Sequence, residues 1–193
     1  MNNFVYEIDG VDYINLTNKC TNSCTFCIRN NHDGMSGKSL WLDSEPEAGD
    51  IIAILEKNRR DVVFCGFGEP MIKLDVLREV AAFVKSYGGK VRINTNGHAN
   101  VYHGRNVVPE ISQYVDVFSI SLNSYCALEY DKICRSIYGP DAFDYMVDFA
   151  KECLAAGNRV VMSALDIIGG EAIEKCRKFA ESLGAEFRER FYY

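Results

Sequence analysis

The sequence lacks a long apolar run and carries fewer basic than acidic residues. No stretch approaches the roughly 20 consecutive apolar residues of a membrane-spanning helix. The segment Met1-Asn-Asn-Phe4 has neither the basic residues nor the apolar core of a secretory signal, so we expect a cytoplasmic protein without membrane association. With 21 basic and 27 acidic residues, the net charge of −6 argues against a dedicated nucleic-acid-binding surface.

Linkers, repeats and low-complexity segments are also missing. Hydrophobic residues make up 48% of the 193 residues, which is enough for one substantial core and is far from the composition of a disordered chain. We therefore expect a single domain over residues 1–193.

Cysteine is abundant, with eight residues, but only three are closely spaced. Cys20, Cys24 and Cys27 follow a Cys-x3-Cys-x2-Cys pattern, and no fourth cysteine lies nearby. Iron–sulfur clusters are normally bound by four thiolates, so three would leave one iron with an open position. Such a set in a cytosolic chain indicates metal or redox chemistry before disulfides. The alternative is a zinc site, for which His32 could supply a fourth ligand.

The other five cysteines show no second closely spaced set. Cys134, Cys153 and Cys176 lie on apolar helical faces, and Cys65 ends an apolar strand, so we expect buried, inert thiols. Cys126 follows a predicted strand at its carboxyl end. A radical-relay or ligand role is therefore the alternative to a structural one for Cys126.

Apolar strands alternate with amphipathic helices along the chain. Asp9-Gly10 between two apolar stretches predicts an N-terminal β-hairpin. Six strands that alternate with helices are predicted at residues 11–16, 61–65, 90–94, 115–122, 159–165 and 185–191. Near-continuous apolar strands indicate a parallel sheet covered by helices. The predicted fold class is thus α/β, with right-handed crossovers curling the strands into a partial (β/α)6 TIM-like barrel.

Helix boundaries are also indicated. Ser44-Glu-Pro-Glu47 has the pattern of a capping box, so a helix is predicted to begin there. Gly139-Pro140 separates two predicted helices at 127–138 and 141–156. We expect four residues in loops: His32, Asp33, His98 and His103.

Polar residues follow the predicted strands at their carboxyl ends, where parallel α/β folds carry their chemistry. After the cysteines come three further segments, Gly66-Phe-Gly-Glu-Pro70, Asn94-Thr-Asn-Gly97 and Ser119-Ile-Ser-Leu-Asn-Ser124. On the last strand Arg188 and Arg190 alternate with Glu189. If the arginines face inward they need an anionic group of substrate or cofactor, because an unpaired buried charge is costly. For Arg29 both a substrate or cofactor role and a surface ion pair stay open.

This combination of motifs resembles the radical SAM superfamily, whose members cleave S-adenosylmethionine reductively. The resemblance implies that Cys20, Cys24 and Cys27 hold three irons of a [4Fe–4S] cluster, while S-adenosylmethionine chelates the fourth. Cleavage would yield methionine and a 5′-deoxyadenosyl radical that abstracts hydrogen from a substrate. A reductant such as flavodoxin or ferredoxin is implied as well.

The same resemblance implies a cofactor-binding set made of Phe26, Gly66, Gly68, Glu69, Asn94, Asn96, Ser119, Ser121 and Asn123. Phe26 would lie near the adenine, and Glu69 would accept a hydrogen bond from the amino group of the methionine part. The glycines would allow close backbone approach. Asn94 and Asn96 would approach the ribose or methionine part of the cofactor. The remaining residues would approach the ribose hydroxyls or the substrate, namely Ser119, Ser121 and Asn123.

At a finer level, the segments 13–29, 118–124 and 184–190 are similar to those of TatD-associated radical SAM proteins. These are typically encoded beside a TatD-like metal-dependent hydrolase, so a functional link to such a hydrolase is implied. No particular substrate is implied.

Three alternatives stay open. A glycyl-radical-enzyme activating enzyme shares the cysteine spacing. A 7-carboxy-7-deazaguanine synthase-like enzyme is similarly short, but that family usually has Asp-Thr after the third cysteine, where this chain has Ile28-Arg29. The third alternative is a non-catalytic iron–sulfur or zinc binding module.

Overall fold

A computed structural model describes residues 2–35 and 37–192, so Met1, Ser36 and Tyr193 lie outside the described residues. The strands are β1 (Val5–Ile8), β2 (Val11–Ile14), β3 (Gly34–Met35), β4 (Lys38–Ser39), β5 (Val62–Phe64), β6 (Val91–Thr95), β7 (Val117–Ser121), β8 (Arg159–Leu165) and β9 (Glu186–Arg190). One sheet has the order β1-β2-β5-β6-β7-β8-β9, and β3 pairs separately with β4.

Helices connect the strands of the large sheet. The α-helices are α1 (Ala48–Leu55), α2 (Leu74–Ser86), α3 (Ala99–His103), α4 (Val108–Ile111), α5 (Ala127–Cys134), α6 (Ala142–Ala155) and α7 (Gly170–Ser182). Short 3-10 helices cover Ile28–Asn30, Pro70–Lys73, Ser112–Tyr114, Gly139–Asp141 and Asp166–Ile168. Within residues 2–35 and 37–192, no helix has the length and apolarity needed to cross a membrane.

The sheet confirms the predicted α/β fold. From β2 to β9 the strands pair in parallel and in sequence order, as in a partial TIM-like barrel. β1 pairs with β2 antiparallel. Asp9 and Gly10 turn the chain between them with positive φ angles of 51° and 80°, which confirms the predicted hairpin.

Side chains alternate between the two faces of each strand. On β6 and β7, Ile93 and Phe118 are buried in the main hydrophobic core. There Phe118 packs edge-on against Phe149 of α6, with ring centroids 5.8 Å apart. The next residue on each strand, Asn94 on β6 and Ser119 on β7, points to the other face and lines a cavity there. The strand period thus places polar side chains inside the barrel and apolar ones beneath the helices.

Two predicted helix boundaries are wrong. The first helix begins at Ala48 rather than at Ser44, and the Asp50 carboxylate accepts a hydrogen bond from the backbone N–H of Glu47 at 3.0 Å. The capping box is therefore formed by Glu47 and Asp50, three residues after the predicted pair of Ser44 and Glu47. The helix predicted to run to residue 138 ends at Cys134, where Arg135 has a left-handed φ of 47°.

Candidate active site

A cavity of about 400 Å³ lies at the carboxyl ends of the parallel strands. Cys20, Cys24 and Cys27 all line it, and all three are free thiols. The structure also brings the complete predicted cofactor-binding set to this cavity, namely Phe26, Gly66, Gly68, Glu69, Asn94, Asn96, Ser119, Ser121 and Asn123. Residues from the ends of four neighbouring strands, β2, β5, β6 and β7, therefore share one space.

The loop that carries the cysteines is held by the chain at the end of α5. Backbone hydrogen bonds of 2.9–3.0 Å join Ser23 to Cys134, Thr25 to Ile133 and Ile137 to Thr21. An isolated antiparallel β-bridge adds a further link between Asn22 and Ser136. These contacts require the chain to leave the helix at Arg135. The early end of α5 is thus part of how the cysteine loop is positioned.

A chain of buried polar groups lies behind Cys20. The side-chain amide of Asn96 donates to the Thr21 hydroxyl at 2.8 Å and lies 3.8 Å from the Cys20 sulfur. The Thr21 hydroxyl lies 3.1 Å from Nδ1 of His98, whose Nε2 lies 2.9 Å from the Ala142 carbonyl. A carbonyl only accepts, so Nε2 carries the proton, and Nδ1 accepts from Thr21.

His103, predicted in a loop, instead ends α3, whereas His98 lies in the loop before that helix as predicted. His98 is a buried part of this hydrogen-bonded chain. Its side chain is 1% exposed, and burial lowers its pKa to about 4. The ring is neutral at physiological pH. No local pattern marks this role, because Thr21 and Ala142 are distant from His98 in sequence.

Glu69 joins the ends of β5 and β6. One carboxylate oxygen accepts from the Thr95 hydroxyl at 2.7 Å and from the Met71 N–H at 3.1 Å, and the other accepts from the Asn96 N–H at 2.7 Å. Burial raises the pKa of Glu69 to about 7. A carboxylate has about four acceptor positions, so three protein donors leave one for a ligand.

Gly66 and Gly68 allow a close approach of two backbone segments. A Cβ atom on Gly66 would lie 2.0 Å from the Asn15 side-chain oxygen, and one on Gly68 would lie 2.3 Å from the Thr17 carbonyl oxygen. Both contacts involve the chain that leads from β2 to Cys20. The structure therefore explains the glycines by packing within the protein, and their contact with a cofactor stays a prediction.

Asn94 and Asn123 both line the cavity. The side-chain oxygen of Asn94 is buried without a hydrogen-bond partner. Asn123 has a left-handed φ of 55° and donates to the Cys134 sulfur at 3.6 Å. Buried polar atoms are nearly always satisfied, so the Asn94 oxygen indicates a ligand that donates a hydrogen bond.

Cys134 is buried as predicted, whereas Cys65 is only half-buried and differs from its sequence interpretation. Cys134 lies beside Cys24, and this contact together with burial raises the pKa of Cys24. Cys65 lines the cavity, whereas Cys126 lies outside its lining. Arg29 donates to the Asn18 carbonyl at 3.2 Å and thereby connects the two ends of the cysteine segment. Within the described residues Arg29 has no surface ion pair.

The sequence profile of a known family matches most of the chain. Residues 14–183 match the radical SAM superfamily. The chain belongs to this superfamily. Its members are enzymes that use a [4Fe–4S] cluster and S-adenosylmethionine. No curated protein matches the sequence.

Solved radical SAM structures share the fold. SuiB from Streptococcus suis bound to S-adenosylmethionine is 18% identical, with a TM-score of 0.70, and the match covers 95% of this chain and 40% of SuiB. The SuiB complex with precursor peptide SuiA is 17% identical, with a TM-score of 0.70, and the match covers 95% and 39% of the two chains. Two structures of anSMEcpe with bound AdoMet are 13% identical, with a TM-score of 0.69. These matches cover 95% of this chain and 50% to 51% of anSMEcpe. The chain thus spans about two fifths of SuiB and half of anSMEcpe.

The donors in the cavity fit the superfamily's cofactors. The thiols of Cys20, Cys24 and Cys27 line one cavity, and thiolates are the usual ligands of iron–sulfur clusters. His32 lines the same cavity. The unpartnered Asn94 oxygen matches a ligand with hydroxyl or amino donors. In the part of the chain that the structure describes, no group of three or more His, Cys, Asp or Glu side chains surrounds a single metal-ion position.

Proposed function

We propose that this chain is a radical SAM enzyme in which Cys20, Cys24 and Cys27 hold a [4Fe–4S] cluster and the same cavity binds S-adenosylmethionine. The observation that carries the proposal is that the three free thiols share this cavity with the polar ends of the following strands. When bound, these cofactors supply an electron and a 5′-deoxyadenosyl radical that takes hydrogen from a substrate.

The protein's own residues bind and orient in this proposal. Asn96, Thr21 and His98 fix the position of the Cys20 sulfur through their hydrogen-bonded chain. Glu69 offers its remaining acceptor position to the amino group of the methionine part. Asn94 offers its free oxygen to a hydroxyl or amino donor. Because these groups are held before the ligand arrives, little ordering is needed on binding.

The ligand assignment is tested by iron content. The full chain, reconstituted anaerobically with iron and sulfide, is expected to be brown and to hold about four irons. Replacement Cys24→Ala removes one thiolate and should reduce iron to below about one quarter of the wild-type value. Cys153→Ala, on the core face of α6, is the matched control and should keep the iron. Equal iron content in both variants would refute the assignment.

Cofactor binding is tested on the same preparation. S-adenosylmethionine should change the electron paramagnetic resonance spectrum of the reduced cluster, because it occupies the iron that lacks a cysteine. A colourless, zinc-loaded protein that binds no S-adenosylmethionine would contradict the proposal and favour the non-catalytic module.

Membership of the TatD-associated group is a finer proposal. It is supported by the segments 13–29, 118–124 and 184–190 and carries a functional link to a TatD-like hydrolase. We also propose flavodoxin or ferredoxin as reductant. Reduced flavodoxin or reduced ferredoxin should support S-adenosylmethionine cleavage in place of dithionite. If neither protein does so, both are excluded as the reductant. A cytoplasmic location and a single domain over residues 1–193 stay predictions.

A further inference from the structure

Three arginine side chains face the interior of the partial barrel without a carboxylate partner. Arg92 lies on β6, and Arg188 and Arg190 lie two residues apart on β9. Arg188 and Arg190 line the cavity that holds the cysteines, whereas Arg92 lies with Arg188 in an adjoining cavity. We call these three residues the arginine side. Surface arginines behave differently, since Arg105 pairs with Glu110 and Arg159 pairs with Glu186. No residue of 2–35 or 37–192 forms an ion pair with the arginine side.

Neutral groups are the only hydrogen-bond partners of these guanidinium groups among the described residues. Arg188 donates to the Ser119 hydroxyl at 3.4 Å, Arg190 donates to the Asn123 side-chain oxygen at 3.3 Å, and Arg92 donates to the Tyr13 hydroxyl at 3.2 Å. The Nε atoms of Arg92 and Arg190 are buried without a partner. Each guanidinium has five donors, so most of their hydrogen-bonding capacity is unused.

The positive charges of these arginines repel one another. Burial and the charge of Arg92 lower the pKa of Arg188, and burial and the charge of Arg188 lower the pKa of Arg190. Glu69, which lines the same cavity, already accepts three protein hydrogen bonds and does not contact these arginines. Arg92 and Arg190 are half-buried and Arg188 is exposed. Neighbouring like charges that are partly buried and lack a counter-ion are unfavourable, so the arrangement favours an anion.

Strand geometry places the arginines at different depths of the cavity. Arg188 is in register with Ser163 of β8, and Arg190 is in register with Leu165, nearer the carboxyl end. Side chains at such positions are separated by roughly 6.6 Å along a strand. The Arg190 guanidinium also interacts electrostatically with the Cys24 side chain. An anion bound between the two guanidinium groups would lie in the same cavity as the cysteines.

We propose that Arg188 and Arg190, with Arg92 behind them, bind an anionic group of the substrate, a carboxylate or a phosphate. Planar guanidinium groups match both anions through paired hydrogen bonds. The assignment of this anion to a substrate rests on the proposed function. S-adenosylmethionine also carries a carboxylate, so the experiment must separate these two sources.

The first arm measures thermal unfolding of the full chain, reconstituted with iron and sulfide, in sodium phosphate or sodium acetate. Sodium chloride keeps the ionic strength constant. Phosphate or acetate at ten times its dissociation constant should raise the wild-type midpoint by about 3–5 °C. Arg188→Gln and Arg190→Gln should reduce the rise to below about 1 °C. Arg105→Gln, a surface control, should keep it.

The variants also separate binding from a structural role. Without phosphate or acetate, Arg188→Gln and Arg190→Gln should melt at or above the wild-type midpoint, because each removes a charge that a neighbouring arginine repels. A fall of several degrees would mean that the arginines serve the fold and would overturn the proposal. Absence of stabilisation by both anions, or equal stabilisation of wild type and variants, would overturn it too.

The second arm identifies the source of the anion. The dissociation constant of S-adenosylmethionine is measured on the wild-type protein without phosphate and with saturating phosphate. A change below about twofold supports a substrate anion, whereas a tenfold rise would assign the arginines to the cofactor's carboxylate and overturn the substrate assignment. If S-adenosylmethionine does not bind at all, the proposed function fails, while the thermal arm still decides the anion site.

Discussion

The two sides of the cavity differ in how their polar groups are satisfied. Around the cysteines, Glu69 has three protein donors, and Asn96, Thr21 and His98 form one continuous hydrogen-bonded chain. On the arginine side, buried Nε atoms have no partner and the charges have no counter-ion. The hydrogen bonds around the cysteines fix a geometry and leave single acceptors, such as the Asn94 side-chain oxygen, for a ligand. The arginine charges instead lack a counter-ion. The cysteine side therefore suits the cofactors of the superfamily, and the arginine side suits a substrate.

The largest expected effect comes from Glu69→Ala. The variant leaves the Thr95 hydroxyl and the N–H groups of Met71 and Asn96 without their acceptor, so the free energy of unfolding should fall by about 4 kcal/mol. Urea unfolding of the full chain measures this. Glu129→Ala, which breaks an exposed pair with Lys132, should cost less than about 0.5 kcal/mol.

Similar losses for Glu69→Ala and Glu129→Ala would show that the cysteine side is not held by its own hydrogen bonds. The contrast with the arginine side would then fail, because neither region would be held by its own hydrogen bonds.

The pH dependence of stability gives the next largest effect. The pKa of His98 is about 4 in the folded state, below its ordinary value of 6.5. Unfolding therefore takes up a proton in the window between these values. Stability that is present above pH 6.5 is lost as the pH falls towards 4, by about 3 kcal/mol.

Urea unfolding across this pH range tests the His98 prediction against the His98→Gln variant, which cannot take up the proton. The wild-type free energy should fall more steeply than that of the variant. Parallel pH profiles would mean that His98 does not sit neutral behind Cys20.

Gly68→Ala should have a smaller effect on stability. The added Cβ would lie 2.3 Å and 2.5 Å from the carbonyl oxygens of Thr17 and Lys19, so the chain before Cys20 must move. We expect a loss of about 2 kcal/mol and reduced iron incorporation. Gly170→Ala meets open space at the start of α7 and serves as control. Unchanged iron content in Gly68→Ala would show that this packing does not position the cysteines.

Much of the fold follows from local sequence patterns. Asp9-Gly10 predicts the hairpin because both residues accept positive φ angles. The six parallel strands follow from their apolar runs. Because parallel strands end at one edge, polar residues after separate strands, such as Glu69 and Asn94, were expected to meet, and both line the cavity.

The remaining features depend on contacts between distant segments. Arg135 leaves the helix although no glycine marks the end, because the chain there pairs with the cysteine loop. His98 and Cys134 gain their positions beside Thr21 and Cys24 in the same way. Two residue pairs near the start of α1 could form a capping box, Ser44 with Glu47 and Glu47 with Asp50. The second pair caps the helix, which therefore begins at Ala48. Such choices are made by tertiary packing and leave no local signal.

The most direct test of the central claim is the formation of 5′-deoxyadenosine. The full chain, reconstituted anaerobically, is mixed with dithionite and S-adenosylmethionine, and the products are separated by chromatography. We expect 5′-deoxyadenosine release that requires the reconstituted cluster and is lost in Cys24→Ala. A preparation that holds its iron and binds S-adenosylmethionine, yet releases no more 5′-deoxyadenosine than the same mixture without protein, would contradict the account.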